Sequence, residues 1–399
     1  MKKAISFLLA ALLVLSLASC GARDVKSEEN SIPEAEEADE FIGETITAAE
    51  EPGVFIEEMI TAAEEPEKEP EEEPKRIIGW SEDSTAMAEI MATVENITDE
   101  SSPDYVPPEK RIAVFDFDGT LIGERYPSVS DRSLFLYRLL HDDTYNGPTK
   151  YVLFAKATEK AIANHEELPI TPADTVQMCA ETFVGFTVEE YKAYVREFRK
   201  QPVTGFKGMT YGTRFFVPMV ELVRYLTEND FMVYICGGGE RNYLRAMIED
   251  VLGDCIPPYR VIGSTISFTA TGQNGTPGSS YTYGPDDRVL IDGKMTAKLL
   301  KMGKVSSIVN EIGIAPVLVF GNSYGDFSMA QYALQNGGKA WMLLCDDTER
   351  DYGDADESAS FAKDCEEYGF GTISMRDEFT TIYAEGITMD APAVLDSAA

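Results

Sequence analysis

The sequence predicts an α/β fold built on a doubly wound parallel sheet, and three observations support this prediction. Strand-like and helix-like segments alternate over roughly 270 residues, as in domains that carry helices on both faces of a sheet. The strand-like segments are short continuous apolar runs, which are typical of strands buried on both faces. Acidic residues and glycines directly follow several of these runs, at the edge where open parallel sheets bind ligands.

The first 20 residues read as an export signal that precedes the fold. Lys2 and Lys3 are followed by the apolar run Ala4–Val14 and by Leu17-Ala18-Ser19-Cys20. This order is typical of a bacterial secretion signal, and its end matches the lipobox of bacterial lipoproteins. The apolar run is too short to span a bilayer comfortably. We therefore expect lipidation at Cys20 and an extracytoplasmic protein anchored to a bacterial membrane. Ordinary secretion with an incidental Cys is the alternative.

Residues 21–79 are predicted to form an acidic, disordered tether. Residues 21–75 contain twenty acidic and four basic side chains, a composition that cannot bury enough apolar surface to fold. The heptapeptide at 46–52 recurs at 60–66, but two copies are too few to build a solenoid. We interpret the segment as a spacer that lifts a folded domain off the membrane. A binding role for the acidic run is the alternative.

Charge and composition disfavour several classes of protein. Of the formal net charge of −35, the tether carries −16 and the signal +2, which leaves −21 on the remainder. Nucleic acid is therefore not an expected partner, because phosphate backbones require a basic surface. Apart from Cys20, five Cys remain outside any zinc-binding spacing. We expect free buried thiols, with a Cys345–Cys365 disulfide as the alternative. Only two His are present, which disfavours a Ser-His-Asp hydrolase.

The core elements can be placed in order along the chain. Apolar residues at helical spacing predict a first helix over 87–97, capped by Asp83 or Ser84. Strands are predicted at 111–117, 231–236, 260–264, 316–320 and 340–345, the last of which closes the sheet, with a hairpin from 266–271 and 288–291. Helices are predicted at 217–227, 241–252 and 305–312, and another opens after Asp326.

The first predicted strand ends in Asp116-Phe117-Asp118-Gly119-Thr120. The stretch resembles motif one of the haloacid dehalogenase superfamily. The resemblance implies that Asp116 is the nucleophile, that Asp118 is the acid/base and that Thr120 lies at the phosphate site. The chemistry explains this pairing, because one carboxylate can hold a phosphoryl group as a labile anhydride while the other serves as acid and base. A surface turn or a calcium-loop fragment is the alternative.

The second motif of that family departs from its pattern in this chain. The family places a Ser or Thr at the end of the next strand, where this sequence has Gly237. Gly237 and Gly238 can still offer backbone N–H groups to a phosphate, and Arg241 is close enough along the chain to help. Loss of one donor typically costs about 3 kcal/mol of transition-state stabilisation. A tight turn without a binding role is the alternative for the three glycines.

A lysine of the third motif neutralises phosphate charge in the family. Lys304 lies twenty-two residues before Asp326, which matches the family's spacing. Lys294 and Lys298 are competing candidates for the same role. A lysine near a helix start is usually solvated, so this motif is weak evidence when it is taken alone.

The fourth motif corresponds to Gly321-Asn322-Ser323-Tyr324-Gly325-Asp326, with Asn322 where many members have Asp. The resemblance implies a magnesium site formed by Asp116, the main-chain carbonyl of Asp118, Asn322 and Asp326. These are hard oxygen ligands of the kind that Mg²⁺ prefers. The cation would allow an anionic nucleophile to approach an anionic phosphate.

The insertion between motifs one and two resembles the helical cap of the phosphoserine and phosphorylcholine phosphatase branch. We expect the cap at 123–211, with helices at 150–165, 172–183 and 188–200, and the α/β core at 80–122 and 212–390. Such caps close over the site and select the substrate. Glu124 and Arg125 at its entrance either contact substrate or pair with each other. Its many aromatics predict a packed core, with a quaternary ammonium cage as the alternative.

The sequence thus predicts Mg²⁺-dependent hydrolysis of a small phosphomonoester through an aspartyl-phosphate, outside the cytoplasmic membrane. The expected partners are a small phosphorylated substrate and the membrane that holds the lipid anchor. Because Gly237 removes a hydroxyl, a non-catalytic lipoprotein that binds phosphoryl ligands is the first alternative. A phosphotransferase that passes the group to a second alcohol is another.

Overall fold

A computed structural model describes residues 77–164 and 166–390. The predicted signal, the lipidation site at Cys20 and the tether up to residue 76 lie outside the described residues. In the part of the chain that is described, no helix is both long and apolar enough to cross a membrane.

The centre of the fold is a seven-stranded sheet in the order β5-β4-β3-β1-β6-β7-β8. Its strands are β1 (Ile112–Phe115), β3 (Met232–Glu240), β4 (Val261–Ala270), β5 (Val289–Ala297), β6 (Leu318–Gly321), β7 (Lys339–Leu344) and β8 (Gly371–Ser374). All neighbouring pairs are parallel except β4 and β5, which form an antiparallel hairpin. The predicted doubly wound, mostly parallel sheet is confirmed.

Eleven helices and one small ribbon complete the described part of the chain. The helices are α1 (Thr85–Thr98), α2 (Ser130–Leu140), α3 (Thr149–Ala163), α4 (Pro172–Thr182), α5 (Val188–Phe198), α6 (Val217–Glu228), α7 (Arg241–Ile248), α8 (Met302–Ser307), α9 (Phe327–Gln335), α10 (Ala355–Tyr368) and α11 (Met375–Glu378). The ribbon pairs β2 (Phe206–Lys207) with β9 (Thr388–Met389). Short 3₁₀ turns lie at 108–110, 211–213, 258–260 and 278–280, and a π-helical turn at 308–312 continues α8.

The central strand β1 packs against helices on both faces of the sheet. Its four residues are completely or almost completely buried, and they alternate between two apolar clusters. Ala113 and Phe115 join a cluster with α1, α6 and α7, whereas Ile112 and Val114 join one with α8, α9 and α10. Burying a side chain of this size contributes roughly 1.5 to 3 kcal/mol. The layers therefore hold the end of β1 in a fixed position.

Several predicted boundaries were wrong. The sheet does not close at 340–345, because β8 adds a seventh strand after α10. The strand predicted at 231–236 continues through three glycines to Glu240, whose side chain accepts a hydrogen bond from Tyr243 N and caps α7. The two segments predicted at 260–264 and 266–271 form one strand, since β4 pairs first with β3 and then with β5.

The helices α2 to α5 form a layer that is attached to the core by several hydrogen bonds and ion pairs. At its base, the buried Arg214 donates to the carbonyls of Gly123 and Ser128 and ties together the chain segments that enter and leave the layer. At its far side, Gln177 exchanges hydrogen bonds of 2.9 and 2.8 Å with Gly293 O and Met295 N of β5. Main-chain bonds from Gly185 and to Phe186 also join it to Ile291.

The aromatic residues of this layer surround a cation of the chain itself. The Arg138 guanidinium lies 5.1 Å from the ring centroids of Phe183 and Tyr194 and 5.3 Å from that of Phe186. Arg138 also pairs with Asp142, which accepts a hydrogen bond of 2.8 Å from the Tyr194 hydroxyl. The rings therefore pack around a structural ion pair rather than around an open ligand cage.

The five cysteines among the described residues are all free thiols. Cys179, Cys236 and Cys365 are buried, while Cys255 and Cys345 are partly exposed. The prediction of free thiols is confirmed, and the alternative of a Cys345–Cys365 disulfide is wrong.

Candidate active site

The loop after β1 brings two carboxylates to the carboxyl edge of the sheet. Asp116 N donates to Phe320 O at 2.9 Å and so extends the pairing of β1 with β6. Gly119 follows with a φ of +78°, and a Cβ at this position would lie 2.0 Å from Asn322 Nδ2 and 2.5 Å from Glu124 Oε1. The motif therefore requires glycine here, both for its left-handed backbone and for the close approach of the two side chains.

Lys304 joins the two carboxylates of motifs one and four. Its Nζ lies 2.6 Å from Asp116 Oδ1 and 2.6 Å from Asp326 Oδ1, and the lysine is 1% exposed. Burial and repulsion from Asp326 raise the pKa of Asp116, while Lys304 opposes this shift. Burial by itself would lower the pKa of Lys304, but the two carboxylates raise it well above its usual range. The lysine is therefore charged.

The fourth motif is held by its own backbone. Asp326 is fully buried, and its Oδ2 accepts hydrogen bonds of 3.1 Å from Asn322 N, Ser323 N and Ser323 Oγ. Asn322 in turn donates through Nδ2 to Glu124 Oε1 at 2.6 Å and accepts at Oδ1 from Thr120 Oγ1 at 3.2 Å. The predicted residues Asn322, Asp326 and Thr120 thus meet in one network, in which Thr120 contacts Asn322.

Glu124 is a further member of this network. The sequence left two alternatives open for it, contact with substrate and pairing with Arg125. Burial, followed by repulsion from Asp118 and Asp116, raises its pKa to about 8. It does not pair with Arg125, whose guanidinium lies 2.6 Å from Glu357 Oε2. The pairing of Glu124 with Arg125, one of the two alternatives, is therefore wrong.

The donor set of this network fits a hard divalent cation. The carboxylates of Asp116 and Asp326 share the Lys304 ammonium, and burial, followed by repulsion from neighbouring carboxylates, raises the pKa values of Asp116 and Glu124. A bound cation would relieve the excess of buried negative charge. Among the described residues, no group of three or more His, Cys, Asp or Glu could hold a metal ion. The predicted site relies also on oxygen atoms of Asn322 and of the Asp118 main chain.

Asp118 points toward the helical layer instead of toward Lys304. Its Oδ1 accepts a hydrogen bond of 2.8 Å from Ser130 N, the first amide of α2. Amides in the first turn of a helix have no partner within the helix. The predicted acid/base is therefore held by the first turn of α2, a contact that the sequence did not predict.

The glycine run of the second motif borders the Asp116–Asp118 loop. Phe115 pairs with Ile235 in the parallel ladder, and a Cβ on Gly239 would lie 4.0 Å from Asp118 Oδ2. Arg241, the predicted helper, points to Glu311, with its Nη2 2.6 Å from Oε1. Its role in phosphate binding stays a prediction, as do those of Gly237 and Gly238.

The two competing lysines lie in different surroundings. Lys294 is exposed and pairs with Asp292 at 3.0 Å. Lys298 is partly buried, and its Nζ lies 2.5 Å from Gly238 O. Of the three candidates, Lys304 alone contacts the predicted nucleophile within the described chain.

A cavity of about 440 Å³ adjoins Glu124 between the core and the helical layer. It is lined by the segment 124–129 and by residues that include Arg132, Leu168, Tyr352 and Asp354. Arg132 is 8% exposed, and its Nη1 donates to Ser128 Oγ at 2.8 Å, while its Nε has no partner among the described residues. The cavity is of a size that suits a small ligand.

Comparison with known proteins gives structural likenesses only. No family model and no curated protein matches the chain. A conserved protein of unknown function from Anaerococcus prevotii is 16% identical, covers 76% of this chain and 96% of its own, and gives a TM-score of 0.44. Cytosolic 5'-nucleotidase IIIB bound to cytidine is 15% identical, with coverages of 73% and 86% and a TM-score of 0.41.

A phosphoserine phosphohydrolase-like protein from Francisella tularensis is also 15% identical, with coverages of 66% and 94% and a TM-score of 0.36. These identities and TM-scores are low.

Proposed function

We propose that the protein is a Mg²⁺-dependent phosphatase that hydrolyses a small phosphomonoester through an aspartyl-phosphate on Asp116. The observation that supports this most strongly is the position of Lys304 Nζ, 2.6 Å from both Asp116 and Asp326. These residues come from three distant parts of the chain. Phosphoryl transfer by this route requires a carboxylate nucleophile, a buried cation and oxygen ligands for a metal ion, all at one edge of the sheet.

In the first step, a carboxylate oxygen of Asp116 forms a bond to phosphorus while the bond from phosphorus to the alcohol oxygen breaks. Asp118 gives its proton to that alcohol oxygen, which leaves as the free alcohol. In the second step, Asp118 takes a proton from water, whose oxygen bonds to phosphorus. The bond between phosphorus and Asp116 then breaks, and inorganic phosphate is released.

The charge of Lys304 stabilises both steps, because it stays beside the oxygen atoms on which negative charge accumulates. Mg²⁺ bound by Asp116, the Asp118 carbonyl, Asn322 and Asp326 would neutralise further charge between nucleophile and phosphate. Hydrogen bonds to Glu124 and from Thr120 fix the Asn322 amide.

We also propose that the enzyme acts outside the cytoplasm, anchored by lipid at Cys20. The export-signal pattern of residues 1–20 and the acidic spacer that follows it support this location. The volume of the cavity beside Glu124 supports a small alcohol as the leaving group.

A non-catalytic phosphoryl-binding protein is the second candidate, and Gly237 is the observation that favours it. The presence of Asp118 argues against this candidate, because a protein that only binds phosphate does not need that acid.

The decisive experiment assays the full-length chain in detergent against p-nitrophenyl phosphate and a panel of small phosphomonoesters, with Mg²⁺ or with EDTA. We expect Mg²⁺-dependent release of phosphate that falls at least about 10³-fold in Asp116→Asn, since the nucleophile is lost. Wild-type release equal to that of Asp116→Asn on every substrate would overturn the proposal. Alcohol acceptors added to the same assay would reveal phosphotransfer as a phosphorylated acceptor in place of free phosphate.

A further inference from the structure

The position that carries a hydroxyl in the second motif has no room for one here. A Cβ on Gly237 would lie 2.8 Å from Leu244 Cδ1 and 3.1 Å from Phe117 Cβ. This direction is therefore filled by the apolar core. The hydrogen-bond donor that this chain lacks at Gly237 cannot be replaced at the same position without moving Leu244.

The neighbouring position is different. A Cβ on Gly238 would make only ordinary contacts, at 3.5 Å or more, and one of the atoms it would meet is Lys298 Nζ at 3.7 Å. The Lys298 ammonium therefore occupies the space beside Gly238 at the strand edge. Its Nζ donates to Gly238 O at 2.5 Å, which uses one of its three N–H groups.

The backbone around Lys298 is fixed by Ser264, which is fully buried on β4. The Ser264 hydroxyl donates to Gly238 O at 2.6 Å and accepts from Leu299 N at 3.1 Å. One side chain thus links the glycine run of β3 to the residue that follows Lys298. The same hydroxyl therefore fixes both the carbonyl that Lys298 contacts and the main chain next to Lys298.

The charge of Lys298 is not neutralised by an ion pair. Within the described parts of the chain, no carboxylate oxygen lies within 4.0 Å of its Nζ, in contrast to Lys294 and Lys304. Its charge acts on Asp131 of α2, where burial raises the pKa of the carboxyl and Lys298 opposes this increase. Its remaining N–H groups are therefore available to an anion that enters between the glycine run and Asp118.

We propose that Lys298 is a second phosphoryl-binding cation of this site and supplies the donor that is absent at Gly237. The proposal rests on the proposed function for the identity of the anion. One N–H group stays on Gly238 O and holds the side chain in place, while another donates to a non-bridging phosphoryl oxygen. Lys304 then serves the nucleophile side of the phosphoryl group and Lys298 the side that faces Asp118.

The test compares Lys298→Met with Lys294→Met. Each variant loses one ammonium group, and Lys294 lies on β5 while Lys298 directly follows it. Both are made in the full-length protein, together with Lys298→Arg, which keeps the charge. For Lys298→Met we expect kcat/KM on a phosphomonoester to fall by about 10²- to 10³-fold. The inhibition constant of inorganic phosphate should rise by at least about tenfold in parallel. Lys294→Met should change either value by less than about twofold, and Lys298→Arg should recover at least about tenfold of the loss.

A purely structural lysine would change the thermal midpoint but not the inhibition constant of phosphate, so both are measured. An active wild type with the same constants in Lys298→Met would overturn this proposal and leave the proposed function intact. If the wild type does not turn over, calorimetric binding of inorganic phosphate in Mg²⁺ replaces the kinetic assay. Binding weakened by Lys298→Met alone would then support the inference, whereas equal binding, or none in the wild type, would overturn it.

Discussion

The ammonium of Lys304 opposes protonation of Asp116. Burial and repulsion from Asp326 raise the pKa of Asp116, and the charge and hydrogen bond of Lys304 act against this increase. In the proposed mechanism, a protonated Asp116 would not attack phosphorus. We therefore propose that Lys304 acts before substrate binds, in addition to the charge-neutralising role that the resemblance implies.

Two neighbouring glycines should respond differently to serine. In Gly237→Ser the new Cβ lies 2.8 Å from Leu244, whereas in Gly238→Ser the nearest atom is at 3.5 Å. We expect Gly237→Ser to lower the free energy of unfolding by about 1 to 3 kcal/mol through overpacking, and Gly238→Ser to change it by less than about 1 kcal/mol. Urea denaturation measures both values. Equal destabilisation by the two variants would contradict this account of the strand edge.

The sequence identified the residues that follow strands, but not all their partners. Asp116 and Asp118 were predicted because they lie at the end of a recognisable apolar run, and Asn322 and Asp326 because they belong to a motif that follows another. The contact of Glu124 with Asn322 joins residues 198 positions apart, and no local pattern reveals it. Long-range contacts of this kind depend on how the loops meet once the sheet has formed.

The helix α2 connects the helical layer to Asp118. Its first amide, on Ser130, holds Asp118 Oδ1 at 2.8 Å. Any movement of α2 away from the core would break this bond. In the proposed mechanism, proton transfer from Asp118 to the leaving group would therefore depend on the position of α2.

This coupling can be tested by Ser130→Pro. Proline removes the N–H group and is favoured at the first position of a helix, and Val129 already has the extended backbone that precedes proline. We expect kcat/KM on alkyl phosphates to fall by about 10- to 100-fold, because an alkoxide leaving group needs protonation. Hydrolysis of p-nitrophenyl phosphate should fall by less than about threefold.

The control for this variant is Ser130→Ala, which keeps the N–H group and removes the hydroxyl. Its ratio of alkyl to aryl activity should equal that of the wild type. An equal loss on both substrate types in Ser130→Pro would show that the amide has only a structural role.

Elements with a plain apolar pattern were predicted, and those with charged buried faces were not. The helices of the layer at 149–163, 172–182 and 188–198 lie close to their predicted ranges. α2 was missed because Asp131, Arg132 and Arg138 are buried on it, which interrupts the apolar spacing that marks a helix. β8 was missed because four residues, Gly371–Ser374, are too short and too polar to read as a strand.

The stability of the whole molecule should depend on pH through a carboxyl outside the active site. Asp351 is 3% exposed, and burial raises its pKa to about 6, although Tyr352 N, the Tyr383 hydroxyl and Arg214 favour the charged form. The repulsion from Asp347 adds to the increase. In the unfolded chain the same group titrates near 3.9. Between about pH 4 and about pH 6, the folded state therefore keeps a proton on Asp351 that the unfolded state has released.

Because the folded state binds this extra proton, the free energy of unfolding should fall as pH rises from about 4 to about 6. Asp351 should account for about 2 to 3 kcal/mol of this fall. Asp351→Asn should remove that part of the decline, as measured by denaturation at pH 4, 5, 6 and 7. The exposed Asp286→Asn serves as the control and should leave the profile unchanged. A profile for Asp351→Asn that coincides with the wild type would contradict the prediction.

The hairpin of β4 and β5 has a consequence for protein engineering. It bonds to the covering layer through Gln177 and through the main chain at Ile291. A chimera that exchanged only residues 123–211 with another protein would leave these β5 groups without their partners. A chimera would therefore need two separate segments of the chain, the helical layer and the hairpin. Lys298, which directly follows β5, would be transferred together with the hairpin.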